Sequence, residues 1–124
     1  MTQTLVAADV YDRLQKVMAS DPNGFCGLYR DYLSEALQTL NQLRTLCDNK
    51  SGEELRFKAH YLKSSSLVLG IRPVAELCSE FEHSTREFEF NSAWQRLQNL
   101  AELLQLVQAE LEQKLGPQVI PVAA

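Results

Sequence analysis

Apolar residues recur at helical spacing along most of the chain, and no stretch alternates convincingly between apolar and polar residues. In the first stretch the spacing is i, i+4, i+7 and i+8, which places Val10, Leu14, Val17 and Met18 on one helix face. Similar stripes follow. The predicted helices cover residues 6–20, 25–47, 51–69, 73–85 and 91–115. The pattern therefore predicts an all-α fold.

Residues that begin or end helices separate these stretches. The segment 21–24 reads Asp-Pro-Asn-Gly, which predicts a stop and a turn. Ser51 followed by Glu54 is the signature of a capping box at the start of the third helix. Gly70 is expected at the end of that helix, or where another element approaches its backbone closely. Pro73 suits the first turn of the fourth helix, where its missing N–H costs nothing.

The last helix and the connections complete the predicted architecture. Residues 86–91 are expected to form a polar and aromatic connection, and Asn91 or Ser92 can cap the helix that follows. Because the connections are short, successive helices should pack antiparallel. We expect an antiparallel up-down four-helix bundle with a shorter N-terminal helix, in one domain over residues 1–115. The tail 116–124 is expected to be a loose end or a few residues packed on the body.

Composition narrows the class of protein. The chain has 124 residues, 45% hydrophobic and 23% charged, which is ordinary for one soluble globular domain. Its net charge of −4 argues against nucleic-acid binding, which usually shows a basic face. No signal-peptide pattern is visible, and no stretch approaches the ~20 apolar residues that span a membrane. Cys26, Cys47 and Cys78 are odd in number and far apart, so we expect reduced, buried thiols in a cytoplasmic protein.

His60, one of only two histidines, lies on a helix with two different faces. Leu55, Leu62 and Leu69 share a face that should be the core. Lys63 lies about one turn from His60 on the other side. The residues near this pair mix charge, a hydroxyl and large apolar side chains, and they are Arg56, Phe57, Ser64 and Leu67.

Two interpretations of Phe57 and Leu67 remain open at this stage. An exposed apolar pair beside an exposed histidine suits a docking surface for another protein. Alternatively, both residues lie on the flank of the bundle, under side chains of a neighbouring helix. Ser65 and Ser66 point toward the bundle and are interpreted as small residues that let helices approach closely.

The residue types at His60 and Lys63 suit phosphoryl chemistry. Imidazole is a nucleophile near neutral pH, and a phosphoryl group on its ring nitrogen carries negative charge that a lysine one turn away would screen. The other ring nitrogen should donate to an acceptor that fixes the tautomer. Because this helix offers none, the acceptor should come from the next helix. The residues alone leave open that His60 is a surface histidine without a role.

The run His60-Tyr61-Leu62-Lys63-Ser64-Ser65-Ser66, with Gly70, Leu77-Cys78 and Glu82 after it, closely resembles a histidine-containing phosphotransfer (HPt) domain of two-component phosphorelays. The resemblance covers most of the chain. It implies that His60 accepts the phosphoryl group through Nε2, that Lys63 stabilises it, and that Glu82 accepts from the other ring nitrogen. Gly70 matches the family's glycine at the helix end. Ser64 departs from the pattern, because most members have glycine there so that a partner can approach.

The resemblance also implies a function and partners. A receiver-domain aspartate would pass a phosphoryl group to His60, and His60 would pass it to another receiver. Mg²⁺ is expected on the receiver and no cofactor on this chain, which acts as a phosphocarrier. No Gly-rich phosphate loop is present, so autonomous kinase activity is not expected. The expected partners are response-regulator receiver domains and a hybrid histidine kinase, and we expect a cytoplasmic monomer that binds neither nucleic acid nor membrane.

Two alternatives remain. The first is a helical interaction module that binds a receiver or a kinase without being phosphorylated. The second is a substrate domain of a larger histidine kinase, although a free-standing protein is expected. His83 lacks the lysine pattern that follows His60, and we interpret it as a surface residue. A Cys78/His83 metal site is not expected, because no further ligands with zinc-like spacing are visible.

The two histidines should therefore differ in one experiment. We expect His60→Gln to abolish phosphoryl transfer from a phosphorylated receiver and His83→Gln to leave it unchanged, because only His60 has the transfer motif. Transfer is followed by label on the purified protein, and circular dichroism checks that both variants stay helical. Transfer at the wild-type rate in His60→Gln would contradict the assignment, and a large loss in His83→Gln would reopen the choice of histidine.

Overall fold

The computed structural model describes residues 4–84 and 90–121, in which α-helices and one short 3₁₀-helix are the regular elements and no strand occurs. The helices are α1 (Ala8–Val17), α2 (Pro22–Asp48), α3 (Gly52–Val68), α4 (Arg72–Ser84) and α5 (Phe90–Leu115), and the 3₁₀-helix is Pro117–Val119. The prediction of an all-α fold is confirmed. Within the described ranges, no helix combines the length and the apolarity needed to cross a membrane.

Four of the helices enclose the core. α3 packs against α2 and α4, and α5 packs against the same two helices, so that each of the four meets two neighbours. Most of the apolar residues predicted from spacing face inward, with Leu33, Leu62, Phe81 and Leu104 among the fully or almost fully buried side chains. Val17 of the first stripe is an exception: α1 ends at this residue, and its side chain is exposed. The up-down order of all four helices stays a prediction.

Two hydrogen bonds fix how α2 and α3 lie against each other. The hydroxyl of Tyr29 donates to the backbone oxygen of Leu69 at 3.2 Å, and the hydroxyl of Tyr32 lies 2.7 Å from Ser66 Oγ. Ser66 Oγ donates its own proton to the backbone oxygen of Leu62, so Tyr32 must be the donor to Ser66. Three residues forward along α2 correspond to three residues backward along α3. These two helices therefore run in opposite directions.

The start of α2 differs from the prediction. Asp21 is the N-cap, and its Oδ1 accepts from the backbone N–H of Gly24 at 3.0 Å. Pro22 is the first helical residue, where its fixed φ and missing N–H suit the helix. The segment 21–24 therefore begins α2 three residues before the predicted start at 25, whereas the pattern was interpreted as a stop and a turn.

The capping box predicted at Ser51 is also absent. Ser51 does precede α3, but its side chain makes no capping hydrogen bond. Instead, its N–H donates to the backbone oxygen of Leu46 at 2.9 Å, while Lys50, with φ 56°, donates to Cys47 at 3.2 Å. This is a Schellman motif that ends α2. It holds Ser51 at φ −90° and ψ 73°, away from the extended conformation of a typical capping residue.

The caps predicted for the last helix are wrong as well. α5 already includes Asn91 and Ser92, since it begins at Phe90. Residues 86–89 of the predicted connection lie outside the described residues, as do 85 and 122–124. In the tail, the 3₁₀-helix packs against α2 and α5, and Val119 is fully buried.

The N-terminal segment closes one part of the bundle. Both oxygens of the Glu110 carboxylate accept hydrogen bonds from backbone N–H groups, that of Leu5 at 2.8 Å and that of Val6 at 2.7 Å. Tyr11 of α1 packs edge-on against Phe25, with 5.1 Å between ring centroids. The Lys114 ammonium, from α5, lies over the Tyr11 ring, 4.9 Å from its centroid. α1 is thus held to both α2 and α5.

Gly70 serves both purposes considered for it. It ends α3 in the left-handed conformation, φ +76°, and the N–H of the next residue, Ile71, donates back to Ser66 at 2.8 Å. Its carbonyl accepts from the N–H of Ala7 at 2.9 Å, and a Cβ added to Gly70 would lie 2.8 Å from Cβ of Val10. Only glycine fits both the backbone and the contact with α1.

This double constraint predicts an asymmetric response to Gly→Ala substitutions. Gly70→Ala should lower the free energy of unfolding by about 2–4 kcal/mol, since left-handed strain and the clash with Val10 add. Gly27→Ala is the matched control. Its Cβ would meet nothing nearer than the flexible Arg30 side chain at 3.4 Å, so it should raise stability by about 0.5–1 kcal/mol. Urea denaturation measures both, and a neutral Gly70→Ala would contradict the prediction.

Candidate functional site

The buried face of α3 turns His60 outward. Leu55, Ala59, Leu62 and Ser66 are buried on the inner side of the helix. His60 lies on the opposite side, and 62% of its side chain is exposed to solvent. Its helix position and its exposure therefore follow from the same apolar spacing that forms the core.

Glu82 of α4 meets the histidine across the helix interface. Its Oε1 lies 3.0 Å from Nδ1 of His60 and 3.8 Å from Nζ of Lys63. A carboxylate can only accept, so Nδ1 carries the proton of the neutral ring and Nε2 carries the lone pair. Within the described residues Nε2 takes part in no hydrogen bond. The ring is thus oriented with a nucleophilic nitrogen available.

The packing of α4 explains the position of Glu82. Cys78 and Phe81 are fully buried, so Glu82 emerges at the edge of the core, beside α3. Burial, with a smaller contribution from the charge of Glu82, raises the pKa of the Cys78 thiol to about 12 against the opposing effect of the Lys63 charge. Cys78 is therefore a neutral packing residue that lies close to the charges of Glu82 and Lys63. Cys26 and Cys47 are also buried and outside any disulfide, as the sequence predicts.

Large apolar side chains surround His60 on the outer face of α3. Phe57 is 70% exposed and Leu67 is 52% exposed, so the interpretation that a neighbouring helix covers them is wrong. Tyr61 and Val68, 55% and 69% exposed, extend the same surface and were missed. The signal was available, because Phe57, Tyr61 and Val68 are spaced i, i+4 and i+11 on one stripe. We call these four residues the apolar face.

The remaining predicted site residues fall into two groups. Ser64 is exposed beside His60, and its Oγ donates to the backbone oxygen of His60 at 3.2 Å. Arg56 is half-buried on α3. Gly70, in contrast, is buried beneath α1, and its assignment to a partner-binding surface is corrected to a structural role. His83 is exposed, and within residues 4–84 and 90–121 no three His, Cys, Asp or Glu side chains could together hold a metal ion.

Known proteins similar to the chain show its family and its fold. A family model described as the Hpt domain matches residues 27–114. A similar solved structure is the crystal structure of histidine-containing phosphotransfer protein B (HptB) from Pseudomonas aeruginosa PAO1, with a TM-score of 0.83 and 22% sequence identity. The match covers 92% of this chain and 96% of that one, which shows a shared fold. No curated protein sequence matches the chain significantly. Because the family model spans α3, α4, most of α2 and almost all of α5, the chain belongs to the Hpt domain family of histidine phosphotransfer domains in phosphorelays.

Proposed function

We propose that the chain is a phosphorelay intermediate that carries the phosphoryl group on Nε2 of His60. The lone pair of Nε2 attacks the phosphorus of a receiver's aspartyl phosphate, the N–P bond forms, and the aspartate leaves as a carboxylate. A second receiver aspartate then reverses this exchange. The observation that carries the proposal is the 3.0 Å contact between Nδ1 of His60 and Glu82 beside an exposed ring.

Lys63 and Glu82 divide the electrostatic work in this proposal. Glu82 accepts a hydrogen bond from Nδ1–H and so keeps the attacking ring in one tautomer. Its negative charge also stabilises the cationic ring that forms on phosphorylation. The Lys63 ammonium lies 3.8 Å from the same oxygen and keeps 29% of its side chain exposed. Because its stem is flexible, it can turn from Glu82 toward the phosphoryl oxygens and screen their charge.

The apolar face and its neighbours would dock the receivers. Exposed aromatic and aliphatic side chains around a reactive residue bury apolar area against a partner and exclude water from the transfer. Arg56 and Ser64 would contact the partner at the edge of this surface. Mg²⁺ would be held by the receiver, and a hybrid histidine kinase would supply the phosphoryl group. In this role the chain is a monomeric cytoplasmic phosphocarrier with no kinase activity of its own.

A module that binds receivers without being phosphorylated is the less favoured alternative. Such a module would have no need for an exposed imidazole, and a buried His60 or a Glu82 directed elsewhere would have favoured it. Instead, His60 is exposed and Glu82 accepts from its ring. This arrangement supports transfer, since it prepares one nitrogen as a nucleophile.

The role of Glu82 can be tested without any partner. At about pH 9, where ordinary imidazoles are neutral, we expect His60 to be protonated on Nδ1 in the wild type and in Glu82→Gln, since the amide oxygen still accepts. Glu82→Ala should shift His60 toward the Nε2–H form. Long-range ¹⁵N–¹H NMR of the imidazoles measures both tautomers, with His83 as an internal control. An unchanged His60 tautomer in Glu82→Ala would contradict the role of Glu82.

Transfer itself is tested with a panel of ³²P-phosphorylated receiver domains. We expect label to move to this chain from at least one receiver, to be acid-labile and base-stable, and to map to His60. His60→Gln should bind the same receiver but take up no label. Binding of receivers by the wild type with no label from any of them would instead support the interaction module.

A further inference from the structure

The α2 side of the apolar face carries a carboxylate that the relay chemistry does not use. Tyr29 pairs with Leu69 and Tyr32 with Ser66, which sets the antiparallel register of α2 and α3. A further step of three residues along α2 reaches Glu35, and the same step back along α3 reaches Lys63, which lies within one turn of His60 and Tyr61. The register therefore places Glu35 at the border of the transfer site, which is the surface formed by His60, Lys63 and Glu82.

The interactions of Tyr61 agree with this placement. Hydrogen bonding to the Glu35 carboxylate raises the pKa of Tyr61, and the charge of Glu35 adds to the effect. Tyr61 directly follows His60 in the chain and remains half-exposed. Glu35 itself is exposed. A partner that covers the apolar face at Tyr61 would thus also cover the Glu35 carboxylate.

The two carboxylates that flank His60 differ in how their charge is balanced. Glu82, on the α4 side, lies next to both Lys63 and the His60 ring. Lys63 lies at the level of Glu35 but pairs with Glu82, and the ion pairs formed among residues 4–84 and 90–121 do not include Glu35. Asp31, also exposed, precedes Glu35 by four residues on α2, so the two carboxylates lie one turn apart on the same helix face. The α2 border of the transfer site therefore carries two exposed carboxylates that form no ion pair within the described residues.

We infer that Glu35 is a specificity-determining residue that selects receiver domains presenting a lysine or arginine against the α2 border of the apolar face. The inference rests on the proposed phosphotransfer function. A carboxylate that loses water on docking destabilises the complex unless the partner supplies a cation. A receiver with an apolar or acidic residue at that position is rejected, and one with a cation is also attracted before contact.

Charge variants of Glu35 test this inference. Glu35→Gln keeps an acceptor for the Tyr61 hydroxyl and removes only the charge, and Glu35→Lys reverses it. Glu102→Lys on α5 is the matched control, because Glu102 is also exposed and the charge change is the same. For each variant, kcat and KM of transfer are measured with the receiver panel, along with the Kd of unphosphorylated receivers by calorimetry.

For the receivers that the wild type prefers, Glu35→Lys should raise KM and Kd by about tenfold or more, which corresponds to about 1.4 kcal/mol. Glu35→Gln should give a smaller rise in the same direction. In both variants kcat should stay within about twofold, since Glu35 touches no reacting atom, and the effect should shrink at high salt because the charges are at the surface. Glu102→Lys should leave all constants unchanged.

A charge swap provides the decisive arm of the experiment. Exchanging the contacting lysine or arginine of a preferred receiver for glutamate should weaken its binding to the wild type and restore binding to Glu35→Lys. If wild type and Glu35→Lys have the same KM and Kd across the panel while His60 is still labelled, the inference is wrong and the proposed function stands. If Glu102→Lys weakens binding equally, net charge alone is responsible and the inference is again wrong. If no receiver labels His60, both fall together.

Discussion

Two tyrosine hydroxyls on α2 set the rotation of α3 about its own axis, and the rest of the site depends on that rotation. Tyr29 and Tyr32 are buried, and each donates to a buried oxygen of the segment that follows His60. A buried hydroxyl without a partner would cost about 1–3 kcal/mol, so the helix cannot turn without losing these bonds. Burial raises the pKa of Tyr29 to about 12 and that of Tyr32 further still, which keeps both hydroxyls protonated as donors.

That rotation decides the chemistry of both faces at once. Directing Leu62 and Ser66 into the core turns His60 outward and brings its ring within reach of Glu82. The same carboxylate oxygen also lies next to Lys63. Glu82 therefore fixes the tautomer of the His60 ring and pairs with a lysine that can turn away from it. The site is therefore partly buried on the α4 side and open on its outer side, which suits a group that must be oriented yet remain reachable by another protein.

The termini stabilise this arrangement from a distance. Gly70 ends α3 directly after the segment that bonds to α2, and α1 packs against it because no side chain intervenes. Glu110 on α5 in turn accepts hydrogen bonds from the backbone N–H groups of Leu5 and Val6, and Val119 is fully buried in the core. The contacts that fix the end of α3 thus extend through α1 and the N-terminal segment to α5.

Local spacing was sufficient to predict the all-α fold and the two faces of α3, with His60 and Lys63 on the outer one, because helical period depends only on residue types at short range. Glu82 was predicted only by the resemblance to the HPt motif. Local spacing failed at helix ends such as Pro22, since a proline after an aspartate suits a turn and a first helical turn equally well. Period also shows which way Phe57 points without showing what lies over it. The exposure of the apolar face and the placement of Glu35 at the level of Lys63 were decided by how α2 and α4 pack against α3, which depends on contacts between residues far apart in the chain.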